Sequence, residues 1–136
     1  MRRLGNVVLD VNVVVSLIIR KKFAHLLRAV AFGRITVFAC AELFDELSDV
    51  LARPHLARYL TTEPASYLKL LKDAAVVEPI REAFIGIPDP DDDYLVALSI
   101  QQRAWLVSGD GPLMRWKEPP RGLKRMTYTE FQKRVL

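Results

Sequence analysis

The chain has 136 residues, with 20 Lys+Arg against 16 Asp+Glu and a formal charge of +4, enough for one domain spanning 1–136 to bury a sizeable core. Its single cysteine, Cys40, excludes an intramolecular disulfide and points to an intracellular, cytoplasmic protein with the thiol in the core. The apolar run Val7 to Ile19 is interrupted by Asp10 and Asn12 and is followed by no cleavage-site pattern, so neither a signal peptide nor a membrane segment is expected.

Asn6 to Leu9 reads as a strand, and Asn12 to Phe32 as a mostly helical stretch closed by Gly33 in the position that a helix C-terminus favours. Ile35 to Ala39 is a second strand and Ala41 to Ala52 a helix ending near Pro54. Leu56 to Ala74 carries one or two helices, with a start at Thr62-Glu63-Pro64. Ala75 to Val77 is a short strand. A loop at Gly86-Ile87-Pro88 leads to a helix from about Asp92 to Arg103. Ala104 to Val107 is a strand ended by Ser108-Gly109-Asp110, Pro119-Pro120 a turn, Arg125 to Thr127 a last strand and Thr129 to Val135 a last helix. Alternating strands and helices, with strands apolar throughout, predict an α/β fold around a central parallel sheet.

In such sheets, sites form outside the carboxyl ends of the strands. Asp10 follows the first strand and Asp110 the fourth, so if those strands are neighbours two carboxylates meet on one edge. Asp10 breaks an apolar run and needs a partner, although capping the next helix would also explain either it or Asn12. In the helix Ala41 to Ala52, the stripe Leu43, Phe44, Leu47, Val50 and Leu51 turns Glu42, Asp45 and Asp49 toward solvent. Glu46 falls on the flank of that stripe, where it can look along the sheet edge.

Asp89, Asp91, Asp92 and Asp93 precede a helix that is apolar almost all round, Leu95 to Ile100. One carboxylate suffices to cap it and a second suits its dipole, so the excess points to a cation. Asp110 is equally compatible with an Asx-type turn in Gly-Asp-Gly-Pro. The candidates are therefore Asp10, Glu46, one of Asp91 to Asp93, and Asp110. Their oxygen ligands suit Mg²⁺ or Mn²⁺ rather than zinc, and such clusters serve phosphodiester hydrolysis. His25 and His55 read as structural or surface residues. The absence of a Walker A loop and of GxGxxG argues against a nucleotide switch or a dehydrogenase. Seven basic residues from Arg115 onward, and Arg20-Lys21-Lys22, are either solvated surface or phosphate contacts.

Four segments resemble PIN domains, in order along nearly the whole chain. They are Val7-Val8-Leu9-Asp10-Val11-Asn12-Val13; Glu42 to Leu47 with Val50-Leu51-Ala52-Arg53-Pro54; Pro88-Asp89-Pro90-Asp91-Asp92-Asp93-Tyr94-Leu95-Val96-Ala97-Leu98; and Ser108-Gly109-Asp110 with Leu113-Met114. The resemblance implies a three-layer α/β/α fold with a central parallel sheet, and a Mg²⁺- or Mn²⁺-dependent endoribonuclease acting on single-stranded RNA. For a chain of this size it implies the toxin of a toxin–antitoxin pair, similar to VapC proteins, with a cognate antitoxin and a homodimeric state.

Carried over by position, the acids are Asp10, Glu46, Asp92 and Asp110, with Asn12 and Ser108 as supporting polar groups. Asp92 is chosen because the family's aspartate precedes a small helix residue by seven positions, here Ser99, and Asp91 and Asp93 are its alternatives. The chain departs from the pattern at Val11, where Thr or Ser is usual, at Ser99, where Ala is common, and at Pro112, where many relatives carry another acid. A catalytically weakened module that binds RNA or protein is the competing reading. A phosphatase with Asp10 as nucleophile lacks its usual second aspartate, because Asn12 stands there.

Overall fold

A computed structural model describes residues 3–82, 92–109 and 111–136. Its strands are β1 (Gly5–Leu9), β2 (Ile35–Ala39), β3 (Val76–Val77), β4 (Trp105–Ser108) and β5 (Lys124–Thr127). Its helices are α1 (Val11–Ile19), α2 (Phe23–Ala31), α3 (Ala41–Leu51), α4 (Pro64–Ala74), α5 (Asp93–Gln101), α6 (Pro112–Arg115) and α7 (Tyr128–Val135), with a 3₁₀ turn over Pro54–Tyr59.

The strands form one sheet in the order β3-β2-β1-β4-β5, and every described pairing is parallel. Val7, Val8 and Leu9 are consecutive and all buried, as are Leu106 and Val107. Successive strand residues point to opposite faces, so both faces are covered by helices, which gives the three-layer α/β/α arrangement. Each such aliphatic side chain contributes about 1.5–3 kcal/mol by leaving water. β1 is central. Its register with β4, Leu9 opposite Val107, brings the ends of the two strands side by side.

The expected helix over Asn12 to Phe32 is two helices. Lys21 takes a positive φ of 60°. The Lys21 N–H then donates to the Ile18 carbonyl at 3.1 Å and the Lys22 N–H to the Leu17 carbonyl at 2.8 Å, the paired bonds that close a helix C-terminus. Gly33 closes α2 in the same way, its N–H donating to Val30 and that of Arg34 to Ala29. Among the described residues no helix is long and apolar enough to cross a membrane. Cys40 is fully buried, and burial pushes its thiol up to about 11.

Candidate active site

β1 ends at Leu9, and the next peptide continues the sheet: the Asp10 N–H donates to the Val107 carbonyl at 3.0 Å. Asp10 is the N-cap of α1, with Oδ1 accepting from the Asn12 backbone N–H at 3.2 Å. Capping uses that oxygen only. The other, Oδ2, accepts from the Ser108 hydroxyl at 2.9 Å, across 98 residues of sequence. Ser108 is one of two buried polar residues among those described. The other, Ser99, donates to the Leu95 carbonyl one turn back on α5. Asp10 is half-buried and forms no ion pair among the described residues.

Glu46 is half-buried on α3, whereas Glu42, Asp45 and Asp49 are exposed, as the position of Glu46 beside the apolar stripe predicts. Its Oε2 accepts a short hydrogen bond from the Tyr94 hydroxyl, in the first turn of α5. Burial raises the Tyr94 phenol far above its usual range, and the hydrogen bond to Glu46 and the charges of Glu46 and Asp10 raise it further. The phenol therefore stays a donor at every ordinary pH. Its hydrogen bond ties the start of α5 to the flank of α3. Tyr94 was not among the sequence candidates. Its signal is a hydroxyl in the first turn of a buried, otherwise apolar helix, where a partner is needed. The identity of that partner, 48 residues earlier, could not be read from spacing.

Asp92 stands at the N-cap of α5 without a side-chain capping bond, and Asp93 begins the helix. Asp91 and Asp110 lie outside the described residues, as does Asp89. The Asn12 side chain is exposed, and its contact with Asp10 is through its backbone N–H. Val11, the apolar departure beside Asp10, is buried. His25 and His55 are exposed. Among the described residues no three His, Cys, Asp or Glu side chains are grouped closely enough to hold a metal ion. The two hydrogen-bonded pairs at the candidate site, Asp10 with Ser108 and Glu46 with Tyr94, offer only oxygens, and none of the four is a cation. That chemistry fits a hard divalent cation better than zinc.

In the basic tail, Arg125 is structural. Its Nη1 donates to the carbonyls of Leu113 at 2.8 Å and Trp116 at 2.9 Å, tying the one-turn helix α6, unforeseen in the sequence, to β5.

A wholly parallel sheet with a half-buried aspartate at the end of its central strand defines an α/β protein of the kind that keeps its chemistry at that edge. The PIN domain model matches residues 6–111, and the chain belongs to that family. No curated protein matches it. In three dimensions it is similar to a chain of the crystal structure of VapBC2 from Rickettsia felis bound to a DNA fragment from their promoter. That likeness has a TM-score of 0.61 at 15% identity and covers 90% of this chain and 98% of that one. At that identity the likeness is one of fold.

Proposed function

We propose that this PIN domain, a single unit over 1–136, is a Mg²⁺- or Mn²⁺-dependent endoribonuclease acting on single-stranded RNA. We further propose that it serves as the cytoplasmic toxin of a toxin–antitoxin pair. The observation that carries the first part is Asp10. Its carboxylate sits at the end of the central strand, oriented by Ser108 and the start of α1, and no basic side chain among the described residues neutralises it. A charge fixed in place but left uncompensated is suited to a cation brought from outside.

Asp10 and Glu46, with Asp92 and Asp110, are the residues that would hold the metal, and Asp91 or Asp93 is the alternative to Asp92. Mg²⁺ or Mn²⁺ would supply activation of a water molecule and neutralisation of charge on the phosphodiester transition state. Ser108 fixes the second oxygen of Asp10 by donating to it and Tyr94 does the same for Glu46, and neither donor adds charge. Asn12 contributes its backbone N–H to the same carboxylate.

The toxin role, the cognate antitoxin and a homodimeric state rest on family membership and on fold likeness to a VapBC2 chain. The competing reading, a weakened module that binds RNA or protein, draws support from the apolar Val11 buried beside Asp10 and from Pro112 at the start of α6.

The test is cleavage of end-labelled single-stranded RNA in Mg²⁺ and in Mn²⁺, beside EDTA and the Asp10→Asn variant. Cleavage by the wild type alone, and only with metal, is expected. Cleavage undiminished by EDTA, or retained by Asp10→Asn, overturns the proposal. For the toxin role, induced expression should arrest growth, and co-expression of the neighbouring reading frame should relieve the arrest.

A further inference from the structure

Charge of the opposite sign gathers at the other end of the sheet. A cavity of about 330 Å³ opens there, lined by Arg3, Leu4, Arg34, Trp105 and Arg134. Arg3 stands just ahead of β1, Arg34 immediately ahead of β2, and Trp105 is the first residue of β4. These are amino ends of strands, whereas Asp10 and Ser108 lie at carboxyl ends. At about 3.3 Å per residue, the length of β1 separates the two by roughly 15 Å.

The lining contains three arginines and no carboxylate side chain. Arg3 donates through Nη1 to the Gly33 carbonyl at 2.9 Å and through Nη2 to the Thr36 hydroxyl at 2.6 Å. Arg34 donates through Nη1 to the Val135 carbonyl at 2.7 Å and through Nη2 to the Arg134 carbonyl at 3.0 Å. All four acceptors are neutral, so they orient the guanidinium groups without cancelling their charge. Among the described residues neither arginine forms an ion pair, and the buried Nε–H of Arg34 has no acceptor. Among the described residues Arg134 pairs only with Glu130, at 3.7 Å on an exposed turn of α7. Lys124, outside the lining, stands with its ammonium 5.0 Å from the centre of the Trp105 ring. Like charges lining one cavity repel one another, and an anion in it would relieve that cost.

We propose that this cavity is a phosphoryl-binding site that takes a backbone phosphate of a single-stranded polynucleotide. Each Nη carries two N–H groups, so Arg3 and Arg34 keep donors beyond those given to the chain, and Arg134 adds an exposed guanidinium that can meet phosphate oxygens in pairs. The volume is at the small end of ligand pockets and suits one nucleotide of an open strand rather than a duplex. The site anchors the strand and takes no part in chemistry at the acidic edge, so it stands whether or not that edge cleaves RNA.

The experiment is fluorescence anisotropy of a short fluorescein-labelled single-stranded oligoribonucleotide with the full chain in EDTA, which removes metal and cleavage together. Arg3→Gln/Arg134→Gln is expected to weaken binding roughly tenfold and to lower the steepness of the salt dependence by about one to two. Arg134→Gln alone removes no side-chain bond to the backbone, so it should keep the wild-type melting temperature and lose part of the affinity. Inorganic phosphate should compete with the oligonucleotide on the wild type and not on the double variant. Lys69→Gln/Lys72→Gln on α4 removes the same charge outside the cavity and should leave binding near wild type. Unchanged affinity in the arginine variants overturns the proposal, as does an equal loss in the lysine variant. Competition by a polyglutamate peptide as strong as by RNA also overturns it, in favour of an acidic protein partner.

Discussion

At the carboxyl ends of β1 and β4, Asp10 is held by a hydroxyl and a backbone N–H; at the amino ends of β1 and β2, Arg3 and Arg34 are held by carbonyls and a hydroxyl. Both ends fix a charged group with neutral partners. An ion pair in either place would have satisfied the charge internally and left nothing for a ligand. The exposed pair Lys69–Asp73 on α4, at 2.9 Å, shows the other arrangement, in which two charges occupy one another and contribute at most about 1 kcal/mol. The lesson is that uncompensated but oriented charge, rather than charge itself, marks the two ends. In our proposals one takes a cation and the other a phosphate.

The largest expected effect is at the acidic end. Asp10→Asn keeps the shape and the cap but removes the charge, and RNA cleavage should fall by at least about 100-fold. Its melting temperature should stay within a few degrees of wild type, since an Asn cap is about as good as an Asp cap. Loss of fold instead of activity would mean that Asp10 is structural. Leu106→Ala strikes the strand between the two ends. Leu106 is fully buried in β4, and its truncation should cost about 2–5 kcal/mol in denaturant unfolding, loosening both ends at once.

Smaller effects separate Glu46 from Asp10. Tyr94→Phe deletes the donor to Glu46 and should reduce metal-dependent cleavage roughly 10- to 100-fold, as loss of an orienting partner does at metal sites. Measured oligonucleotide binding in EDTA should not change, because the arginine end is untouched. Ser108→Ala leaves Asp10 its cap but frees Oδ2. It should lower cleavage about tenfold and destabilise the fold by about 1 kcal/mol in thermal unfolding.

The smallest effect is at Cys40, whose thiol burial pushes up to about 11. A raised acid pKa means that the unfolded chain ionises first. Stability should therefore be unaffected below about pH 8 and fall as pH climbs from about 9 toward 11. Native protein at about pH 8 should resist thiol reagents that label it fully in denaturant. Rapid labelling of the folded chain would show that the core beneath α3 opens.

Much of this was legible because the signals were local. Ile35–Ala39 forms β2 as expected, Gly33 closes α2 with a positive φ of 74°, and the flank position of Glu46 follows from helical spacing alone. The meeting of Asp10 with Asp110 was expected on condition that β1 and β4 be neighbours; they are, and Asp10 meets Ser108 there, while Asp110 lies outside the described residues. The break at Lys21 was not, because a helix end of this kind usually announces itself with glycine. Nor was the Tyr94–Glu46 contact, which depends on how α3 packs against α5. The arginine end escaped for the same reason. Arg3, Arg34 and Arg134 are scattered in sequence, whereas the contiguous basic segments are Arg20 to Lys22 and the run from Arg115. Arg125, inside that run, ties α6 to β5 through the carbonyls of Leu113 and Trp116 and does not line the arginine cavity.

The central claim, that the acidic end is built for a divalent cation, is met most directly by calorimetric titration of Mn²⁺ into the wild type and into Asp10→Asn. Saturable binding to the wild type below millimolar metal, lost in the variant, is the predicted result. No binding to the wild type at millimolar Mn²⁺, or equal binding to both proteins, would contradict it.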